Sequence, residues 1–398
     1  MSGWCSHEDT RDFFLPPAKQ GGVERCVYEL SARFARRGHT VTVATSTRGK
    51  ESKTISERIG LLQVIRFAEK FHLFEAPLIP AISTVALTAE YDVLHVHGMC
   101  PSITDLSILF AKIRRKPVVL TYHNDAESEI WSPVAKLAAF VYSSIVSTLI
   151  RATDVVVCST RSYAETSPAL KYSLNKLQVI PMGVDFDRYS RIESLENANS
   201  EWNLLFVGQL KEYKGVEVLL KALFILRAEG VLINLDIVGT GPELPKLKSI
   251  VRLLHVEDCV HFLENISDHD LMKLYSSCDL VVLPSLNRRE AFGIVMLEAM
   301  AAGKPVVASN IPGLSEVATM AGGLLAKPKD ASSLAASILQ SIKNKRRPEV
   351  MRYSVKQFTW DKLAARYEEI FCSLLNPATE QIGSTHQLEP IAPQLQSE

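Results

Sequence analysis

Arg289-Glu290-Ala291-Phe292-Gly293-Ile294-Val295-Met296-Leu297-Glu298-Ala299-Met300-Ala301-Ala302-Gly303-Lys304-Pro305 is the stretch whose reading decides the fold. An apolar run, Asp279 to Pro284, leads into it as a strand, and a polar loop, Ser285 to Arg289, follows. A helix is expected to start near Phe292 and to stop at Gly303, where a glycine suits a left-handed C-cap. Pro305 then opens a further strand, Val306 to Ala308.

Two carboxylates stand out, Glu290 and Glu298. Eight helical residues would span roughly 12 Å at about 1.5 Å per residue. The paired carboxylates of a glycoside hydrolase lie only about 5 to 9.5 Å apart. The pair is therefore too widely spaced to flank one bond. It suits the two sugars at the ends of a diphosphate, with the helix N-terminus aimed at the phosphates between them. Two solvated glutamates at a helix start are the alternative, and spacing alone leaves it open.

Working outward, 398 residues suggest two domains. Hydrophobic residues at 47% and charged residues at 22% fit a soluble globular chain. A formal net charge of zero gives no global field that would favour nucleic acid or an anionic membrane. The seven cysteines are scattered and odd in number, with no C-x-x-C pair, so neither a disulfide framework nor a zinc module is expected, and a reducing compartment is. No signal peptide is read at the start. Leu137 to Ile150 is apolar but too short to span a bilayer at about 20 residues. It reads as a buried helix, with a membrane-surface role as the alternative.

The rest of the chain alternates strand and helix. The first half reads as a helix at Val23–Arg37, strands at Thr40–Ala44 and Leu61–Phe67, then a helix at Ala81–Ala89. Strands at Asp92–His97, Pro117–Tyr122, Asp154–Cys158 and Lys176–Pro181 follow, separated by helices at Ile103–Arg114 and Val134–Arg151. Asp185 to Ser200 reads as a linker. Trp202–Val207 restarts the rhythm, and Trp360–Leu375 is a late helix. The architecture implied is α/β: an N-terminal domain over 1–184, a C-terminal domain over 201–358, a closing helix over 359–376 and a disordered tail over 377–398. Two doubly wound domains facing each other would hold a ligand in the cleft beyond the carboxyl ends of their strands.

Several residues in that cleft have the right chemistry. Gly21 and Gly22 precede a helix, where glycines let backbone N–H groups approach a phosphate. They do not make the G-x-G-x-x-G of a dinucleotide site, which disfavours a nicotinamide-dependent oxidoreductase. Lys214 precedes a helix whose dipole opposes a cation, so it answers to an anion. His123 follows the strand ending at Tyr122. His95 and His97 share a strand face, but no third ligand stands at helpful spacing, so packing or cleft lining is preferred over a metal. Asp185 and Asp187 sit at the interdomain turn and are not expected to bind a metal either.

Taken in order, these segments resemble a known family. Gly21-Gly22-Val23-Glu24, Thr121-Tyr122-His123, Pro181-Met182-Gly183-Val184-Asp185, Val207-Gly208 with Tyr213-Lys214-Gly215, Val238-Gly239-Thr240-Gly241-Pro242 and Pro284 to Gly303 are similar to the motifs of glycosyltransferase family 4. The likeness runs from about Phe13 to Leu375. It implies the GT-B fold and a retaining, metal-independent transfer of a hexose from a nucleotide diphosphate sugar to a glycan or lipid-linked acceptor. The setting implied is polysaccharide biosynthesis in the cytoplasm, with peripheral contact at the inner membrane face as an option. No cofactor, metal or nucleic acid is implied. Position by position, Glu290 would contact donor-sugar hydroxyls and Glu298 the ribose, while Lys214 would bind the diphosphate. The N–H groups of Phe292, Gly293 and Ile294 would cradle the distal phosphate and sugar. Gly21 and Gly22 would close over the diphosphate, and His123 would line the donor-sugar and acceptor side.

Two departures qualify the likeness. Gln209 stands where the family has an arginine, which replaces a bidentate phosphate donor by a neutral one. The family also begins with an apolar mid-sheet strand that Gly3 to Arg11 cannot fill, so that strand is expected to be missing, through a truncated start or a damaged first domain. These departures motivate a rival reading, a protein that binds a nucleotide sugar without turning it over. A sugar-nucleotide epimerase of the same shape is a further alternative.

Overall fold

The computed structural model describes residues 21–47, 53–69, 71–73, 76–125, 133–192, 201–344 and 347–376. The segment expected to lack its strand, Gly3 to Arg11, and the tail from 377 lie outside the described residues, as do 193–200 of the expected linker.

The second half holds a six-stranded parallel sheet. We number strands along the whole chain, and these six are β10 (Trp202–Val207), β11 (Ile233–Val238), β12 (Val260–Leu263), β13 (Leu280–Leu283), β14 (Val306–Ser309) and β15 (Leu324–Ala326). Their spatial order is β12-β11-β10-β13-β14-β15. The chain runs outward from β10 to one edge, then returns to β10's other side and runs to the opposite edge. β10 and β13 therefore flank the point where the winding reverses, which is where doubly wound sheets open a crevice. Leu280, Val281, Val282 and Leu283 are all buried, as a strand covered by helices on both faces requires.

In the first half, β6 (Leu94–His97), β7 (Val118–Tyr122), β8 (Val155–Cys158) and β9 (Leu177–Val179) form a parallel sheet in that order. A separate sheet joins β1 (Thr42–Ser46), β3 (Leu62–Phe67) and β2 (Ile55–Ile59), with β2 antiparallel to β3. A hairpin, β4 (Phe71–Leu73) and β5 (Ala76–Leu78), lies between the two in sequence. Among the described residues no ladder connects β1 to β6.

The α/β reading with parallel sheets holds, and several elements are added or trimmed. β2, the β4–β5 hairpin and short helices at Arg161–Thr166, Leu314–Met320 and Pro348–Val355 are present where none was expected. These pieces are too short for a hydrophobic period to show. The expected linker begins as a helix, Phe186–Ser190, whose N-cap Asp185 accepts a hydrogen bond from the Arg188 amide at 3.3 Å. The apolar stretch at Leu137–Ile150 lies in a helix, Pro133–Ala152, and no helix among the described residues is long and apolar enough to cross a membrane.

Two helices join the halves. The first helix, Gly22–Arg36, buries Cys26, Leu30 and Phe34, spaced by one turn along one face. The last helix, Trp360–Leu375, packs beside it, with the Phe34 and Phe371 rings 5.3 Å apart. Glu368 receives hydrogen bonds from Arg37 at 2.7 Å and His39 at 2.6 Å, and the Arg366 guanidinium donates to the Val179 carbonyl at 2.9 Å. The turn that admits this helix is tight: the Val184 amide donates to Phe358 at 2.8 Å, and Val184 bridges Thr359. A Cβ at Gly183 would stand 2.3 Å from the Trp360 ring, which is itself fully buried. Gly183→Ala is expected to cost about 1–3 kcal/mol, the range for overpacking a filled core. Urea unfolding compared with wild type measures it.

Candidate functional site

β10 and β13 end side by side, and each is followed by a loop carrying charged groups. After β10 come Gly208, Gln209 and a single 3-10 turn, Glu212–Lys214. Gly215 then adopts φ 72°, and a Cβ there would meet the Pro284 carbonyl at 2.0 Å. Only glycine lets this loop lie against the end of β13. The Leu286 amide fastens the two loops by donating to the Tyr213 carbonyl at 2.7 Å. As a result Lys214, from the first loop, ion-pairs with Glu290, from the second. Both side chains are mostly buried. Burial alone would lower the Lys214 pKa, but the Glu290 carboxylate, with help from Tyr213, holds it above the ordinary lysine value. Beside them the fully buried Ser285 hydroxyl has no hydrogen-bond partner among the described residues.

The helix behind this pair runs from Ile294 to Ala301, starting two residues later than expected. Its N-cap Gly293 sits at φ 74°, where an added Cβ would strike Leu283 and Leu314 at 2.7 Å. Glu290 therefore lies on the loop side of the helix start, as expected, and Glu298 in the second turn of the helix. Gly303 is left-handed at φ 77° past the C-terminus, as a C-cap glycine should be.

Glu298 is 4% exposed, yet it is not sealed inside its own half. It accepts a hydrogen bond from the Tyr275 hydroxyl at 3.0 Å and ion-pairs with Arg25, which the first helix contributes from the other half. Burial would depress the Arg25 pKa, but Glu298, with Tyr189 and Glu29 adding to it, carries it above the usual value. Gly22 opens that first helix, and a Cβ on it would lie 3.2 Å from Ile294 Cδ1, which opens the helix opposite. Gly21 is its N-cap, in extended conformation. Two helix N-termini, each carrying about half a positive charge, thus face one another where the halves meet. Phe292, Gly293 and Ile294 lie at one of these termini, and Gly21 and Gly22 at the other.

A second latch closes the rim. Arg288, on the β13 loop, donates to Asp125 of the first half from Nε at 3.0 Å, and its guanidinium sits 4.5 Å from the Tyr163 ring centroid. Tyr163 returns the contact by donating to the Arg288 carbonyl at 3.2 Å, and the Ser162 amide donates to Glu316 at 3.0 Å. His123 sits past the end of β7 with its Nε2 3.1 Å from His97 Nδ1. Burial pushes its pKa down to about 4, and that of His95 to about 3. Asp185 serves as a helix cap. Sequence reasoning missed Arg25, Tyr275, Tyr163 and the pairing of Arg288. Each acts through a partner more than 20 residues away or in the opposite half, and no local pattern announces such a contact.

Comparisons with known proteins bear on the family and the fold. Residues 20–188 match the family described as Glycosyltransferase Family 4, and residues 187–358 match Glycosyl transferases group 1. The O-antigen chain mannosyltransferase C of Escherichia coli is 27% identical over an alignment covering 90% of this chain and 96% of that one. The D-rhamnosyltransferase WbpZ of Pseudomonas aeruginosa is 33% identical, across 56% of this chain and 57% of its own length. The crystal structure of HepE from Anabaena with UDP-glucose superposes with a TM-score of 0.65 at 20% identity, covering 89% of this chain and 97% of that one. At that identity the likeness speaks for the fold.

The Arg25–Glu298 pair yields a test that needs no substrate. Arg25→Met strips a buried carboxylate of its cation and is expected to cost about 3 kcal/mol in urea unfolding, the low end for halving a buried pair. Arg25→Met with Glu298→Gln should recover most of that loss, as the double-mutant cycle for a coupled pair requires.

Proposed function

The chain belongs to the glycosyltransferases of family 4 and group 1, and from that premise we propose that its cleft moves a hexose from a nucleotide diphosphate sugar to a glycan or lipid-linked acceptor, with retention and without a metal ion. The observation that carries the reading is the meeting of two helix N-termini beside Lys214. Cleaving a sugar–phosphate bond leaves negative charge on the diphosphate. Fixed N–H groups and a buried ammonium already in place stabilise that charge without reorganising.

On this reading the donor takes over pairings that the cleft's own side chains make with one another. Its diphosphate takes Lys214 from Glu290 and lies against the N–H groups of Phe292, Gly293 and Ile294, which a helix leaves without internal acceptors. Glu290, released, accepts hydrogen bonds from the sugar hydroxyls. Glu298 holds the ribose. Gly21 and Gly22 let the first half close over the phosphates, and Gln209 adds one neutral hydrogen bond. His123 lines the side where sugar and acceptor meet. The acceptor hydroxyl attacks from the face the diphosphate leaves. As the bond from the anomeric carbon to the phosphate oxygen breaks, that oxygen takes the acceptor's proton. Two full or partial relatives are named for mannosyl and rhamnosyl transfer, and HepE was crystallised with UDP-glucose. Those names support the choice of a six-carbon sugar as the transferred group in this reading.

Binding without turnover is the reading that Gln209 favours, since it removes a guanidinium from the diphosphate. Arg25 brings another guanidinium to the same cleft, which weighs against it. The experiment is transfer or slow hydrolysis measured by nucleoside diphosphate release over a panel of uridine, guanosine and adenosine diphosphate hexoses. Turnover of one donor, unchanged by EDTA, is expected. Loss of all activity in EDTA that Mg²⁺ or Mn²⁺ restores would refute metal independence, and tight donor binding with no release would establish the rival. Lys214→Ala and Glu290→Ala are each expected to lower kcat by about 10²–10³, the scale of one lost stabilising donor. Each substitution halves a mostly buried ion pair, so stability in urea unfolding is expected to fall by about 3 kcal/mol while the circular dichroism spectrum stays that of the folded wild type.

A further inference from the structure

Three ligand-type side chains converge under the first helix, on the first half's side of the cleft. Cys26 projects from that helix, His97 closes β6 and His123 stands just past β7. β6 and β7 pair with His97 opposite Thr121, so His97 and His123 emerge at the same sheet edge on the same face. Cys26 Sγ and one ring nitrogen from each histidine all lie within 4.8 Å of one another. His97 Nδ1 and His123 Nε2 are 3.1 Å apart.

We propose that Cys26, His97 and His123 bind one thiophilic divalent cation, zinc by ligand type, with a fourth position left open. Tetrahedral zinc with sulfur at about 2.3 Å and nitrogen at about 2.0–2.1 Å holds its ligand atoms about 3.3–3.6 Å apart. His97 Nδ1 and His123 Nε2 already stand near that separation, and the sulfur lies within 4.8 Å of the imidazole pair. Thiolate with imidazole selects zinc over magnesium or calcium, which prefer oxygen.

The surroundings favour a ligand role over plain packing. Cys259 and Cys278, also buried, donate to backbone carbonyls at 3.4 and 3.7 Å. Among the described residues the Cys26 thiol makes no such bond; it faces two imidazoles. His95 does not compete for the ion. Its Nε2 is 2.7 Å from the Thr121 hydroxyl, which is 3.0 Å from the Tyr367 hydroxyl. Its ring centroid lies 4.2 Å from that of His97, which holds the His97 ring in place. On binding, the thiol proton leaves to solvent, the proton shared between His97 Nδ1 and His123 Nε2 moves to the far nitrogen of the ring that carries it, and both neutral imidazoles then donate lone pairs. One positive charge remains on the site.

This inference stands apart from the transfer chemistry, because its readout is the ion's own spectrum. The full chain, stripped with EDTA and dialysed against Co²⁺, should take up one equivalent. It should show a thiolate-to-cobalt charge-transfer band with intense tetrahedral visible bands, both displaced by Zn²⁺. Cys26→Ser should abolish the charge-transfer band and weaken binding by more than the ~10–100-fold that outer-shell changes cost. Cys278→Ser should keep both. X-ray absorption on the zinc-loaded wild type gives the same answer without any variant: one sulfur and two imidazole nitrogens are expected. No cobalt taken up by the wild type, a band that survives Cys26→Ser, or a first shell without sulfur would each overturn the proposal.

Discussion

A carboxylate cannot remain charged and alone beneath a protein surface, and Glu298 is both buried and carried on the inner part of a helix. Its cation comes from the opposite half, as Arg25. That requirement sets how the first helix lies, because Arg25 sits one turn inside its start. It also places Gly22 against Ile294, bringing two helix N-termini together. The electropositive seat at the centre of the cleft is thus a by-product of satisfying one acid.

The sheet order supplies the rest of the framework. Reversal of winding between β10 and β13 aims two successive loops at one spot, and the Lys214–Glu290 pair is their meeting point. Glycines at 215 and 293 hold left-handed turns on either side, where any side chain would collide with Pro284 or with Leu283 and Leu314. The site is accordingly rigid where it must present N–H groups. Its charged side chains are paired internally, so a ligand can exchange one partner for another without creating an unpaired charge.

Two ion pairs close the halves on one another. Arg25–Glu298 lies deepest, and Arg288–Asp125 is also mostly enclosed, with Thr166 Oγ1 2.6 Å from Arg288 Nη1. The last helix, which runs back to pack on the first, joins the halves through aromatic surface together with the Glu368 and Arg366 contacts.

Periodicity and punctuation were enough to read the alternation of strands and helices, since each long element must bury one stripe and the apolar spacing reports it. The order of motifs was enough to read the family, and the glycines at 293 and 303 hold left-handed positions that a side chain would strain. The helix start at Ile294 was misplaced by two residues because Gly293 needs a left-handed turn that sequence does not announce. Glu290 and Glu298 were legible as a pair, but their partners were not. Lys214 stands 76 positions from Glu290 and Arg25 stands 273 from Glu298, and which charges neutralise which depends on how the sheets wind. The same holds for Cys26, His97 and His123. Sequence offered two histidines without a third ligand, and only the packing of a helix across two parallel strands brings a thiol and a second imidazole to one of them.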